Sequence, residues 1–121
     1  MPTTAVAEAK AEMFRALAHP LRIRALEVLV VGERAVGSLA ETLAAEMSHL
    51  SQQLAVLRRA QLVQSRRAGS TVFYSVRDPR TADLLAVARE MLLGGLRDNQ
   101  VLLTDLENDA LPAGSAPGPG A

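Results

Sequence analysis

The hydrophobic period of this chain changes twice, and that change limits the folds open to it. Up to about residue 60 apolar residues recur at the three-to-four spacing of helices. Then come two short runs rich in β-formers, Leu62–Arg67 and Thr71–Val76, joined by Ala68-Gly69-Ser70. The first two features of such a hairpin are a pair of extended runs and a glycine able to turn. After Asp78-Pro79 the helical period returns, with Leu84, Leu85, Ala88, Met91, Leu92, Leu96 and Leu103 among its apolar positions. A chain of helices interrupted by one hairpin is mainly α with a small β element.

The helical part divides further. Val6, Ala9, Met13, Phe14 and Leu17 place a helix over residues 5–17, and His19-Pro20 breaks it. Proline suits the first turn of a new helix, so a second runs about 20–31 and ends at Gly32. His19 reads as a capping or packing residue rather than a ligand. Ser38-Leu39-Ala40-Glu41 has the spacing of a capping box, which predicts a short third helix over about 38–45. Ser48 is the expected cap of a fourth helix over about 48–60. Two short helices with a tight junction form a helix-turn-helix. Asp78-Pro79 opens a long last helix to about Glu107, weakened midway by Gly94-Gly95. The expected organisation is one domain over 1–109 and a disordered Pro/Gly/Ala tail over 110–121.

Composition enters where it separates functions. The chain has 121 residues and no cysteine, which excludes disulfides and thiolate ligation by this chain alone. The formal net charge is zero, but its distribution is uneven. Residues 1–47 carry six Glu against five Lys and Arg, and residues 78–121 carry seven acids against three Arg. Between them, residues 48–77 carry Arg58, Arg59, Arg66, Arg67 and Arg77 and no acid. A local basic footprint of this kind bears on phosphate binding more than the sum does. On a helical wheel Leu50, Leu54 and Leu57 share the inward face, and Ser48, Ser51, Gln52, Ala55 and Arg59 share the other. Gln can bond adenine through two atoms, Ser can serve either base type, and Arg58 and Arg59 suit phosphates. His49 flanks that face, where a DNA contact and plain surface exposure are both open. Arg66, Arg67 and Ser70 approach the hairpin tip, from which Arg can reach a minor groove. No catalytic constellation, cofactor loop or metal-ligand cluster is legible, so no enzyme activity and no cofactor are expected.

Three phrases in this order resemble the ArsR/SmtB family of winged helix-turn-helix regulators. They are FRALAHPLRIRALEVL at 14–29, SHLSQQLAVLRRAQLV at 48–63 and RRAGSTVFYSV at 66–76. The resemblance implies a homodimer on an imperfectly palindromic double-stranded operator, with repression as the outcome. It also implies a dimer interface on the first and last helices, at Val6, Met13, Leu85, Ala88, Leu92 and Leu96. Family metal sites would fall on Ala35 and Gly37, or on Asp78, Arg80, Met91 and Gly94. Of these only Asp78 matches a family ligand, since Arg80 cannot ligate and neither Met91 nor Gly94 supplies a hard or imidazole donor, so neither site is intact and any effector is a small molecule or a protein. With no apolar run of about 20 residues, no membrane span is expected, and the expected location is cytoplasmic. The alternative is a protein-interaction module on the same fold.

Overall fold

The computed structural model describes residues 2–95 and 100–109. Their contacts divide the chain after Pro79 into two compact units. The first holds α1 (Pro2–Leu17), α2 (Pro20–Leu29), β1 (Arg34–Ala35), α3 (Val36–Leu43), α4 (Met47–Arg59), β2 (Val63–Ala68) and β3 (Thr71–Val76). The second holds α5 (Thr81–Gly95) and α6 (Gln100–Asp109). The expected class, mainly α with a small β element, is the observed one.

The break between α1 and α2 is built from its own sequence. His19 adopts an extended conformation at the N-cap, and its Nδ1 accepts from the Leu21 amide at 3.1 Å. Pro20 follows at the first helical position, where a missing N–H costs nothing. Arg22 then reaches back to the end of α1. Its Nε donates to the Ala16 carbonyl at 2.6 Å and its Nη2 to that of Arg15 at 3.3 Å. These are carbonyls that a helix end leaves without intrahelical partners.

Two expectations about caps need correction. The Ser38–Glu41 capping box does not form: α3 starts two residues earlier, at Val36, with Ala35 as N-cap and no side-chain cap bond. The reason is β1, a strand the sequence did not reveal. Arg34 and Ala35 pair with Tyr74 and Phe73 of β3 and feed the backbone straight into the helix. Ser38 Oγ instead accepts from Arg34, whose guanidinium also donates to Thr42. Likewise Ser48 is not the cap of α4. Glu46 holds that position in an extended conformation, and Ser48, inside the first turn, donates from Oγ to Glu46 Oε1 at 2.9 Å.

Both helices of the helix-turn-helix end in Schellman motifs without glycine. Ala44 (φ 52°) closes α3, with Ala45 N donating to Ala40 O and Ala44 N to Glu41 O. Gln61 (φ 65°) closes α4 in the same way, through Leu62 N to Leu57 O and Gln61 N to Arg58 O. The second closure turns the chain directly into β2.

The sheet has the order β1-β3-β2 and is antiparallel throughout. The hairpin runs in register from Val63↔Val76 to Ala68↔Thr71, leaving Gly69-Ser70 as a two-residue turn. Gly69 adopts φ 63°, where a side chain would be strained. Leu26, Leu29, Leu39, Leu50, Leu54, Leu57 and Val63 are fully buried and form the core of the first unit.

In the second unit α5 begins at Thr81, after the expected Asp78-Pro79 start, with Leu84 N donating to Arg80 O. Helix is described over 81–95 and again over 100–109. The expected continuity through residues 96–99 and the expected tail at 110–121 lie outside the described residues. No described helix is long and apolar enough to cross a membrane.

Candidate nucleic-acid interface

The two faces of α4 are sharply different. Leu50, Leu54 and Leu57 are 0% exposed, which fixes the rotation of the helix about its axis. The opposite face is left to solvent: Ser48, His49, Gln52, Arg58 and Arg59 are exposed, and Ser51 and Ala55 are half-buried. The translation of the helix is also held. Arg22 Nη1 donates to Gln53 Oε1 at 2.7 Å, so the guanidinium that closes α1 also grips the middle of α4. Arg22 and Gln53 were not singled out from sequence. The hint was there, in a lone Arg immediately after a helix-starting Pro-Leu pair, but its partner is 31 residues away.

Near the N-terminus of α4 the His49 ring lies edge-on to that of His19, with centroids 6.4 Å apart. His19 therefore has the capping and packing role expected of it. Near the C-terminus Arg58 donates to Ser65 Oγ at 3.3 Å and ties the helix to β2. Arg59 borders a groove between α1 and α4, lined by Ala9, Met13, Ala16 and Val56 as its apolar floor.

On the hairpin, Arg67 and Ser70 are exposed beside the turn. Arg66 is held differently. Its Nε and Nη2 donate to the two carboxylate oxygens of Glu33 at 2.9 and 2.8 Å, and its guanidinium lies 4.5 Å from the Phe73 ring centroid. The hydrogen bonds from Arg66 keep the Glu33 carboxyl below its ordinary pKa, and the same bonds raise that of Arg66. Glu33 lies outside the acid-free segment in sequence, yet the fold brings it onto that segment.

The dimer candidates fall on two helices. On α1, Val6 and Phe14 are exposed and Met13 is half-buried. On α5, Leu85 is half-buried and Ala88 exposed, and Val87, Met91 and Leu92 leave half or more of their surface to solvent, Met91 as much as 72%. The Leu96 position lies outside the described residues. Among the described residues no group of three or more His, Asp or Glu is placed to hold a metal ion.

No family model matches this chain. Individual proteins do. It is 52% identical over 98 residues to the HTH-type transcriptional regulator Rv0081 of Mycobacterium tuberculosis, covering 80% of this chain and 86% of that one. The crystal structure of Rv0081 superposes with a TM-score of 0.70 at 51% identity, over 77% of this chain and 94% of that one. The transcriptional repressor SmtB homolog of Synechocystis is 40% identical over 64% of this chain and 59% of its own length. The homodimeric winged helix-turn-helix DNA-binding domain of Mb0332 from Mycobacterium bovis, described as a possible ArsR-family regulator, superposes with a TM-score of 0.71 at 28% identity, over 80% of this chain and 90% of that one. With the helix-turn-helix, the hairpin wing and these relatives together, the chain belongs to the ArsR/SmtB family of winged helix-turn-helix transcriptional regulators.

Proposed function

We propose that the protein is a homodimeric repressor that binds an imperfectly palindromic operator in double-stranded DNA, acting in the cytoplasm. The observation that carries this is the division of α4. A leucine face at 0% exposure anchors it, and a polar and basic face stands clear of the protein. A helix held this way can enter the major groove N-terminus first, which brings Ser48, His49, Ser51 and Gln52 to the base edges and Arg58 and Arg59 to phosphates. Ser51, being half-buried, contributes less than Gln52. Arg67 and Ser70 at the wing tip reach the backbone beside the minor groove.

One such unit reads one half-site. The apolar residues that α5 leaves exposed, together with those on α1, offer a second copy the surface it needs, at Val6, Met13, Leu85, Ala88 and Leu92. Leu96 extends the same series. The positions of the family's usual metal sites carry Ala35, Gly37, Arg80, Met91 and Gly94, so the signal that releases DNA is a small organic molecule or a partner protein. Domain 1–109 is the functional body of the chain.

The test is selection of a binding site from random DNA, followed by titration across salt concentrations. Two half-sites, one dimer per site and affinity falling steeply with salt are expected, because each neutralised phosphate releases counterions. One monomer per site, or a flat salt dependence, overturns the reading.

A further inference from the structure

Arg66 has the composition of a DNA contact and the geometry of a strap. Ala35, Phe73 and Arg66 form one row across the three strands, so all three side chains lie on the same face of the sheet. Arg66 leaves the edge strand β2, crosses over the Phe73 ring of the central strand, and ends on Glu33, just before β1. Two of its nitrogens are committed to the carboxylate and its flat face to the ring. Nη1 takes no part in the pair, but the carboxylate beside it cancels the guanidinium charge, so a phosphate would meet a pair with no net charge to attract it.

The outer half of the wing has little else to fix its pitch. Residues 66–71 are exposed at every position, so no buried apolar side chain anchors them. The side chains of Arg66 and Glu33 are themselves 57% and 35% exposed, and an exposed pair of this kind adds little to overall stability. What the pair can set is direction. Where Arg67 and Ser70 meet DNA depends on the angle of the hairpin, and the strap runs across the whole sheet on which that hairpin stands.

We propose that Glu33 is a positioning residue of the wing, which through Arg66 straps the hairpin to the helix-turn-helix unit and withholds that one cation from DNA. This rests on the DNA-binding reading above. Arg66 then carries no phosphate contact in the complex, whereas Arg67 does. Removing Glu33 frees Arg66 to find a phosphate and loosens the wing, so binding becomes more electrostatic and less selective.

The experiment compares salt slopes on an operator selected from random DNA and on a random duplex of the same length. Arg67→Gln should flatten the slope by about 1.8, the value of two phosphate contacts, one from each subunit of the dimer. Arg66→Gln should keep the wild-type slope but lower the operator-over-random ratio several-fold. Glu33→Ala frees one Arg66 in each subunit and should steepen the slope by up to about 1.8 and lower the same ratio. The double variant Glu33→Ala/Arg66→Gln should return to the wild-type slope, because the added contact is made by Arg66 and not by the mere loss of a negative charge. The proposal is overturned if Arg66→Gln flattens the slope as Arg67→Gln does. It is equally overturned if Glu33→Ala leaves slope and ratio unchanged, or if the double variant stays steep. Failure of the wild-type chain to bind any selected duplex would instead overturn the DNA-binding reading beneath it.

Discussion

Helices α4 and α5 are both amphipathic in sequence, and the fold uses them in opposite senses. In α4 the leucines are wholly buried and the exposed face is Ser, His, Gln and Arg. In α5 the exposed face includes Val87, Met91 and Leu92. Apolar surface is favourable only when removed from water, at roughly 25 cal/mol per Å2. The first helix has already realised that gain inside its own unit. The second has not, and can realise it only against another surface. The polar face of one helix and the apolar face of the other are thus two kinds of interface, one suited to a hydrated polyanion and one to a second protein chain.

The largest expected effect comes from charging the apolar face. With Leu92 at the proposed subunit seam, Leu92→Glu would bury an unpaired carboxylate there, which a dimer cannot tolerate. The variant should be a folded monomer, and its operator affinity should fall by about 10²- to 10⁴-fold, because two linked half-site contacts no longer reinforce one another. Sedimentation and circular dichroism on one sample read the oligomer and the fold together. A dimeric Leu92→Glu protein with full affinity would remove α5 from the interface.

Next in size is the matching change on α4. Leu54→Ala opens a cavity in a closed core, and denaturant unfolding should show a loss of about 2–5 kcal/mol. Leu92→Ala should lose less, and its loss should depend on protein concentration, as a contact between subunits requires. Equal, concentration-independent losses at the two positions would erase the distinction between the helices.

The sequence was legible where apolar spacing alone decides the outcome. Leu50, Leu54 and Leu57 could be assigned inward because only one helical rotation hides all three. The hairpin was marked by Gly69, whose positive φ a two-residue turn requires. Illegible features depended on distant partners or on unmarked backbone geometry. β1 is two residues long and exists only because β3 arrives to pair with it, Arg34 with Tyr74 and Ala35 with Phe73. The ends of α3 and α4 carry Ala44 and Gln61 in left-handed conformations, where sequence would lead one to seek glycine. Caps at Ser38 and Ser48 were misplaced because Ala35 and Glu46 hold those backbone positions without a side-chain bond to the helix's free amides. The candidate site could be proposed from sequence as residues along 48–71, but not the fact that Glu33 and Arg22 bond to Arg66 and Gln53. Contacts spanning 31 and 33 positions leave no local signature.

A smaller effect probes the polar face of α4. Gln52→Ala should cost about 1–3 kcal/mol on the selected operator and much less on random DNA, if the amide reads a base. Ser51→Ala should cost less than Gln52→Ala, since Ser51 is half-buried and Gln52 exposed. Competition binding against random duplex measures both. An unchanged specificity ratio for Gln52→Ala would mean that the groove-facing register of α4 is different.

The smallest expected effect is on the wing, where neither leucine burial nor a subunit seam holds the chain. The Arg66 hydrogen bonds keep the Glu33 carboxyl below its ordinary pKa. For a carboxyl lowered by folding, the stabilisation is fully present above the unfolded-state value and is lost as pH falls through the folded one. The strap should therefore be insensitive to pH from neutrality down to the ordinary carboxylate range, and should release only in more acid solution. Release should be local, because the leucine core beneath α4 carries no titrating group. Carbon-detected magnetic resonance of the Glu33 carboxyl should show a titration midpoint that moves up to the ordinary range in Arg66→Gln. The Phe73 ring signals should shift over the same pH interval in the wild-type chain, since the guanidinium that covers the ring leaves it when Glu33 is protonated. If the midpoint is the same in both chains, Arg66 and Glu33 are not paired in solution, and the hairpin must be aimed by the strand pairing alone.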